Sequence, residues 1–156
     1  MSREHTIRLM IESDLEQVML IENEAFIAPW RSQDFLYELH ENPINVIYVL
    51  EIEEDGKKKI IGFIDFMVTF SSSTISQIAI AKEHRRKGFA KILLDSMLKH
   101  LKNGYPDEVE TITLEVRKHN AAAIAFYEKN GFEAVLIKPH YYDNGDDAIY
   151  MIRRLI

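Results

Sequence analysis

At 156 residues the chain suits one domain with a full core, and its 47% hydrophobic and 28% charged composition is that of a globular protein. It contains no Cys, which excludes disulfides, thiolate metal sites and a thiol nucleophile on which an acyl group could be parked. The formal net charge of −6 argues against a general nucleic-acid binder. No apolar run approaches membrane-spanning length and the first residues lack an apolar signal core, so a cytoplasmic location without membrane attachment is expected.

Thr6 to Met10 reads as a first strand. Ser13-Asp14-Leu15-Glu16 has the form of a capping box, and Leu15, Val18, Met19, Ile21 and Ala25 give the following helix its apolar face. Residues 27 to 31, with Pro29 and Trp30, break that pattern, and Ser32 is placed to cap a second helix to about His40. Two readings are open for Trp30: a packing anchor, or a wall for a substrate peptide. Asn45 to Ile52 and Ile60 to Phe70 are rich in β-branched and aromatic residues, and Asp55-Gly56 between them is a hairpin signal. Ser71 to Ser73 turns the chain into a strand ending in Ile75 to Ile80, so an antiparallel meander is expected.

Lys82 to Lys87 is a basic connection on an acidic chain. From Gly88 the residues Phe89, Ile92, Leu93, Met97 and Leu101 recur at helical spacing, with Asn103-Gly104 as the expected C-cap and Pro106 beyond it. A strand, a basic loop and a glycine at a helix start together describe an anion site. The first N–H groups of a helix have no intrahelical partner, the dipole there favours negative charge, and glycine lets a phosphate approach the backbone. Neither the P-loop pattern nor Gly-x-Gly-x-x-Gly occurs.

Val109 to Arg117 alternates: Ile112, Leu114 and Val116 point one way, Thr111, Thr113, Glu115 and Arg117 the other. A helix starts at Asn120 and stops at Asn130-Gly131, which puts Tyr127 in its last turn, about two turns from Asn120. Phe132 to Ile137 and Ala148 to Leu155 read as two closing strands around a loop containing Tyr141 and Tyr142. The element order is β-α-α-β-β-β-α-β-α-β-β, a mixed α/β sheet with helices packed on it. Each polar residue of this third has an ordinary reading: Asn120 as an N-cap, Glu115 as a surface carboxylate paired with Arg117, Tyr127 as an amphipathic core residue.

Arg85-Arg86-Lys87-Gly88-Phe89-Ala90 has the form Arg-x-x-Gly-x-Ala behind an apolar strand, and this resembles the pyrophosphate-binding signature of the GNAT acetyltransferases. Leu114-Glu115-Val116-Arg117, then Asn120 to Tyr127, then Gly131-Phe132 is similar to the RimI-type branch of that superfamily, N-terminal acetyltransferases whose namesake acts on a ribosomal-protein alanine. The resemblance extends to Pro29-Trp30, Ile78 to Ile80, Tyr141-Tyr142 and Asp147 to Met151, and is weakest over residues 41 to 73. Ala90 stands where many members carry a second glycine.

That resemblance implies a single GNAT domain with splayed parallel central strands, here Ile75–Ile80 and Val109–Arg117, and acetyl-CoA as co-substrate. It implies pyrophosphate on the loop carrying Arg85, Arg86, Lys87, Gly88, Phe89 and Ala90, and pantetheine along Ile78, Ala79 and Ile80 with Asn120. Glu115 is then the general base and Tyr127 the general acid, with Trp30, Tyr141 and Tyr142 around the acceptor. No metal is implied. The implied acceptor is a protein N-terminus, a ribosomal protein among the candidates, with the enzyme a monomer or weak dimer. A small-molecule amine or a protein Lys is the alternative acceptor, and a non-catalytic CoA-binding module is the alternative of another class. For His84 and His119, which flank the cleft elements, a surface role is expected.

Overall fold

The computed structural model describes residues 4–155. Among them, seven strands and four helices follow the expected order: β1 (His5–Leu9), α1 (Leu15–Ala25), α2 (Ser32–His40), β2 (Asn45–Glu54), β3 (Lys57–Val68), β4 (Ser72–Ile80), α3 (Phe89–Gly104), β5 (Thr111–Arg117), α4 (Ala121–Lys129), β6 (Glu133–Lys138) and β7 (Ala148–Arg154). The chain divides into two compact units: the described residues up to Met67 with Gln77–Pro106, and Val68–Ser76 with Asp107 onward. Strand β4 contributes to both.

In the first unit the strands are hydrogen-bonded in the order β1-β2-β3-β4. The β2–β3 hairpin turns on Asp55 (φ 52°) and Gly56 (φ 74°), with Glu54 opposite Lys57. Two successive positive φ values are what a two-residue turn needs to match strand twist, and Asp-Gly supplies them at little steric cost. Phe35 of α2 meets Phe63 of β3 edge-on at 5.7 Å, while α3 buries Leu93, Leu94, Met97 and Leu101. Gly62 is required by close approach: a Cβ there would come to 2.6 Å from Ile80 Cδ1 and 3.0 Å from the Ala79 carbonyl oxygen.

Three expected caps form differently. The Asp14 carboxylate, not Ser13, closes the turn before α1: its Oδ2 accepts from the Ile11 N–H at 2.9 Å while Arg8 grips both its oxygens at 2.8 and 2.9 Å. That guanidinium holds the Asp14 carboxyl below its ordinary range. Ser32 is already helical, and Asp34 Oδ2 accepts from the Arg31 N–H at 2.8 Å. Helix α3 runs through Asn103-Gly104 and closes at Tyr105, whose N–H bonds to the Leu101 carbonyl at 2.8 Å. The reason is Pro106, which disfavours the helical region for the residue before it.

Asp65 on β3 is fully buried, and neither of its carboxyl oxygens has a hydrogen-bond partner; the Asn45 amide lies beside it without completing one. Burial, reinforced by Glu38 and Glu22 and opposed by Asn45, pushes this carboxyl up to about 8. The native state therefore binds a proton that the unfolded chain gives up near its ordinary value of 3.8. Stability is undiminished below that value and falls by up to ~1.4 kcal/mol per pH unit as pH rises from there towards 8. Asp65→Asn is expected to remove this slope, so the variant gains on the wild type as pH rises. Denaturant unfolding at pH 5 and pH 8.5 measures it; an equal gap at both pH values would contradict a neutral buried acid.

In the second unit the order is β4-β5-β7-β6. Strand β5 pairs in parallel with the start of β4, Ser72 to Thr74 against Thr111 to Thr113, and antiparallel with β7 from Thr111↔Arg154 to Arg117↔Ala148. The alternation of its sequence is the alternation of its burial: Ile112, Leu114 and Val116 are buried, and Thr111, Thr113, Glu115 and Arg117 half-buried. Helix α4 starts at Asn120, whose Oδ1 accepts from the Ala123 N–H at 3.2 Å.

Candidate active site

The first unit carries the loop that the sequence marked as a candidate anion site. Beyond Ile80 the chain makes a short 3-10 turn, Lys82–His84, then takes an extended Arg85 (φ −72°, ψ 158°) and two positive φ values, Arg86 at 63° and Gly88 at 84°. Left-handed residues in such a loop turn backbone N–H groups to one side, and they lead directly into the N-terminus of α3. A Cβ on Gly88 would meet nothing within 4 Å, so the space above it is open. Arg85 is exposed but engaged: its Nε donates to the Ile80 carbonyl at 3.0 Å, fastening the loop to β4, and its Nη2 lies 3.9 Å from Glu24 Oε1. Arg86 and Lys87 are exposed and carry the outward positive charge. Of the strand residues, Ile78 is half-buried while Ala79 and Ile80 are buried.

His84 departs from expectation. It is buried (5% exposed) beside Phe89, whose ring centroid is 6.3 Å away. Burial lowers its pKa, with Lys87 adding to the effect, so the imidazole is a neutral packing element and not a surface group. His119 is exposed as expected, its Nε2 3.5 Å from Asp146.

The second unit carries a carboxylate and a phenol. Glu115 Oε1 accepts from Lys138 Nζ at 2.7 Å. That ammonium also lies over the rings of Tyr150 and Tyr141, at 4.6 and 5.4 Å, and the Glu115 bond holds it above its ordinary range. The expected Glu115–Arg117 pair is not made. Side chains two residues apart on a strand share a face but project in parallel, and Arg117 turns to Asp146 Oδ2 at 2.8 Å and Asn144 Oδ1 at 3.0 Å, its guanidinium 3.9 Å above the Tyr142 ring. Tyr141 and Tyr142 meet edge-on at 5.0 Å. Tyr127 is buried between Phe126 and Phe132, each at 5.4 Å. Burial, with Tyr142 as a second cause, pushes its phenol up, so it remains protonated at neutral pH.

The structure thus brings Glu115, Tyr141 and Lys138 into one cluster and couples Tyr127 to Tyr142, while Asn120 is exposed at the start of α4. Trp30, in the first unit, is half-buried, its ring meeting Phe35 at 5.1 Å in a tilted arrangement and its backbone N–H donating to Glu22 Oε2 at 2.9 Å. Lys138 was not identified from the sequence. No local pattern marks it, because its contact with Glu115 exists only through the β5-β7-β6 order.

The model of the acetyltransferase (GNAT) family matches residues 15–132. The chain belongs to the GNAT family. Among curated relatives, the ribosomal protein bS18-alanine N-acetyltransferase of Escherichia coli K12 is 33% identical over 151 residues, covering 94% of this chain and 95% of that protein. An N-alpha-acetyltransferase of Saccharolobus solfataricus is 31% identical over 165 residues, covering 98% and 95%. The crystal structure of the Escherichia coli ribosomal-protein-S18-alanine N-acetyltransferase superposes with a TM-score of 0.82 at 30% identity, covering 97% of this chain and 94% of that one. As a GNAT protein the chain is an acetyltransferase, and the mixed α/β fold read from its sequence is the family's fold.

Proposed function

We propose that this acetyltransferase moves an acetyl group from acetyl-CoA to the α-amine of a protein N-terminus, a ribosomal protein being the acceptor class that the Escherichia coli relative's name supports. The observation that carries the mechanism is a charged carboxylate, Glu115, and a neutral buried phenol, Tyr127, within one unit of a GNAT chain. Pyrophosphate is assigned to the loop from Arg86 to Ala90, pantetheine to Ile78–Ile80 with Asn120, and the acceptor to Trp30, Tyr141 and Tyr142.

Attack needs a neutral amine. An α-amine titrates near ~8 and Lys near ~10.4, so at pH 7 roughly one N-terminus in ten is neutral, against fewer than about one Lys in a thousand. Glu115, hydrogen-bonded to Lys138, takes the ammonium proton through water. The nitrogen then adds to the thioester carbonyl, whose oxygen takes up the negative charge and accepts from a backbone N–H near Ile78 or Ala79. The C–S bond breaks and CoA leaves as its thiolate, while the nitrogen's second proton passes through water to solvent, leaving a neutral amide and CoA. A free thiol titrates near ~8.5, below a phenol raised by burial, so Tyr127 stabilises the departing sulfur as a hydrogen-bond donor more than by surrendering its proton outright.

A peptide beginning with Ala or Ser and carrying an internal Lys tests the acceptor. Acetyl is expected on the α-amine in large excess, read by fragmentation mass spectrometry. Predominant Lys modification would overturn the Nα reading in favour of a Lys or small-amine acceptor. Binding of acetyl-CoA with no transfer to any amine would mark a CoA-binding module instead.

A further inference from the structure

We infer that Glu22 is a positioning residue: it ties the chain between α1 and α2, through Trp30, to strand β4, through Gln77, and so sets how firmly the acceptor peptide is held. The inference rests on the reading of Trp30 as part of the acceptor site, and it adds a residue that no sequence motif assigns.

Glu22 lies on α1 and is 0% exposed. A carboxyl in such a place costs several kcal/mol unless bonded, and for the fold alone an apolar side chain of similar volume serves as well or better. Its bonds are specific. Oε2 accepts from the Trp30 N–H at 2.9 Å and from Gln77 Nε2 at 2.8 Å, so one oxygen joins a segment eight residues ahead to a strand 55 residues away. Gln77 immediately precedes Ile78, the first of the three β4 residues assigned to the donor.

The tied segment needs such a tie. Residues 26–31 form neither helix nor strand, Ile27 within them is 69% exposed, and Trp30 is held at two points. Its N–H is held by Glu22 and its ring by Phe35 at 5.1 Å, which rests in turn on Phe63. Loss of the first anchor leaves the ring free to pivot on the second. The tie is also unsaturated, because Glu22 Oε1 and Gln77 Oε1 are both buried without a hydrogen-bond partner. A Gln at position 22 retains an acceptor oxygen for the two N–H donors.

That difference makes the test. Trp30 is the only Trp in the chain, so its fluorescence reports the segment directly, with or without turnover. In Glu22→Ala its emission is expected to shift to longer wavelength and its quenching by acrylamide to rise. The KM for an Ala-initiated peptide is expected to rise about tenfold, the scale of one lost hydrogen bond to a charged group, with the KM for acetyl-CoA unchanged. Glu22→Gln is expected to restore both readouts. Unchanged Trp30 emission and quenching in Glu22→Ala overturns the inference, as does an equal rise of both KM values. Should Glu22→Ala not fold, Glu22→Asp, one methylene too short to reach both donors, carries the same readouts. Failure of the Nα reading is a separate event: the wild type then makes no peptide product, and the fluorescence arm still decides Glu22.

Discussion

Tyr127→Phe is expected to lower kcat by about a hundredfold or more, the usual scale for losing a group that handles a proton in the transition state. Affinity for acetyl-CoA and the thermal midpoint should stay close to wild type. The ring is what Phe126 and Phe132 pack against, and a phenyl group keeps those edge contacts. Only the hydroxyl is removed, and its proposed service is to the sulfur as the C–S bond breaks, a charge absent from the bound ground state. An interaction made only in the transition state shows in kcat and not in binding. A thioester with a less basic leaving thiol should recover part of the loss, because its thiolate needs less help. Unchanged turnover of Tyr127→Phe would reduce Tyr127 to a packing residue.

Where physics acts locally, the sequence was readable. The alternation of Thr111 to Arg117 became alternate burial, Asp55-Gly56 became a two-residue turn with two positive φ values, and Asn120 became an N-cap. Gly88 was identified as a glycine that a ligand loop needs, and it sits at φ 84° with open space over its Cα. Each depends on a residue and its immediate neighbours. The caps read at Ser13, Ser32 and Asn103-Gly104 failed for local reasons too, since a stronger competitor stood within two residues: the Arg8-bound carboxylate of Asp14, the side chain of Asp34, and Pro106.

What stayed hidden depends on chain segments far apart in sequence. Lys138 reaches Glu115 across 23 residues, Gln77 reaches Glu22 across 55, and His100 Nδ1 lies 2.8 Å from the Tyr48 hydroxyl across 52. Asp65 drew no attention in a β-branched and aromatic strand segment, and only the packed fold makes it a buried acid near Glu38 and Glu22. His84 sits in the most basic stretch of the chain, yet the loop folds it inward against Phe89. The consequence is chemical. From sequence alone the cation for Glu115 is Arg117, whereas the structure gives it the Lys138 ammonium at 2.7 Å.

Gly88→Glu is expected to abolish the stabilisation that acetyl-CoA gives the wild type. At a hundred times its Kd a ligand adds ~2.7 kcal/mol to folding stability, which for a chain of this size is a rise in Tm on the order of 5–10 °C. The substitution has two effects that need separating. Any side chain at φ 84° carries the cost of a left-handed non-glycine residue, about 1–2 kcal/mol, which lowers the Tm of the free protein. A carboxylate also brings negative charge to the candidate anion site, where the backbone N–H groups of the loop and the N-terminus of α3 are assigned to the pyrophosphate. Gly88→Ala isolates the first effect, since its Cβ meets nothing within 4 Å and leaves the anion's space open. The Ala variant should therefore start from a lower Tm and still rise with acetyl-CoA, while the Glu variant should start low and not rise. The comparison is made by differential scanning fluorimetry with and without acetyl-CoA, and with CoA itself to show that the acetyl group is not the origin of the shift. A full ligand-induced rise in Gly88→Glu would remove the pyrophosphate from this loop, and with it the reason for two positive φ values between β4 and α3.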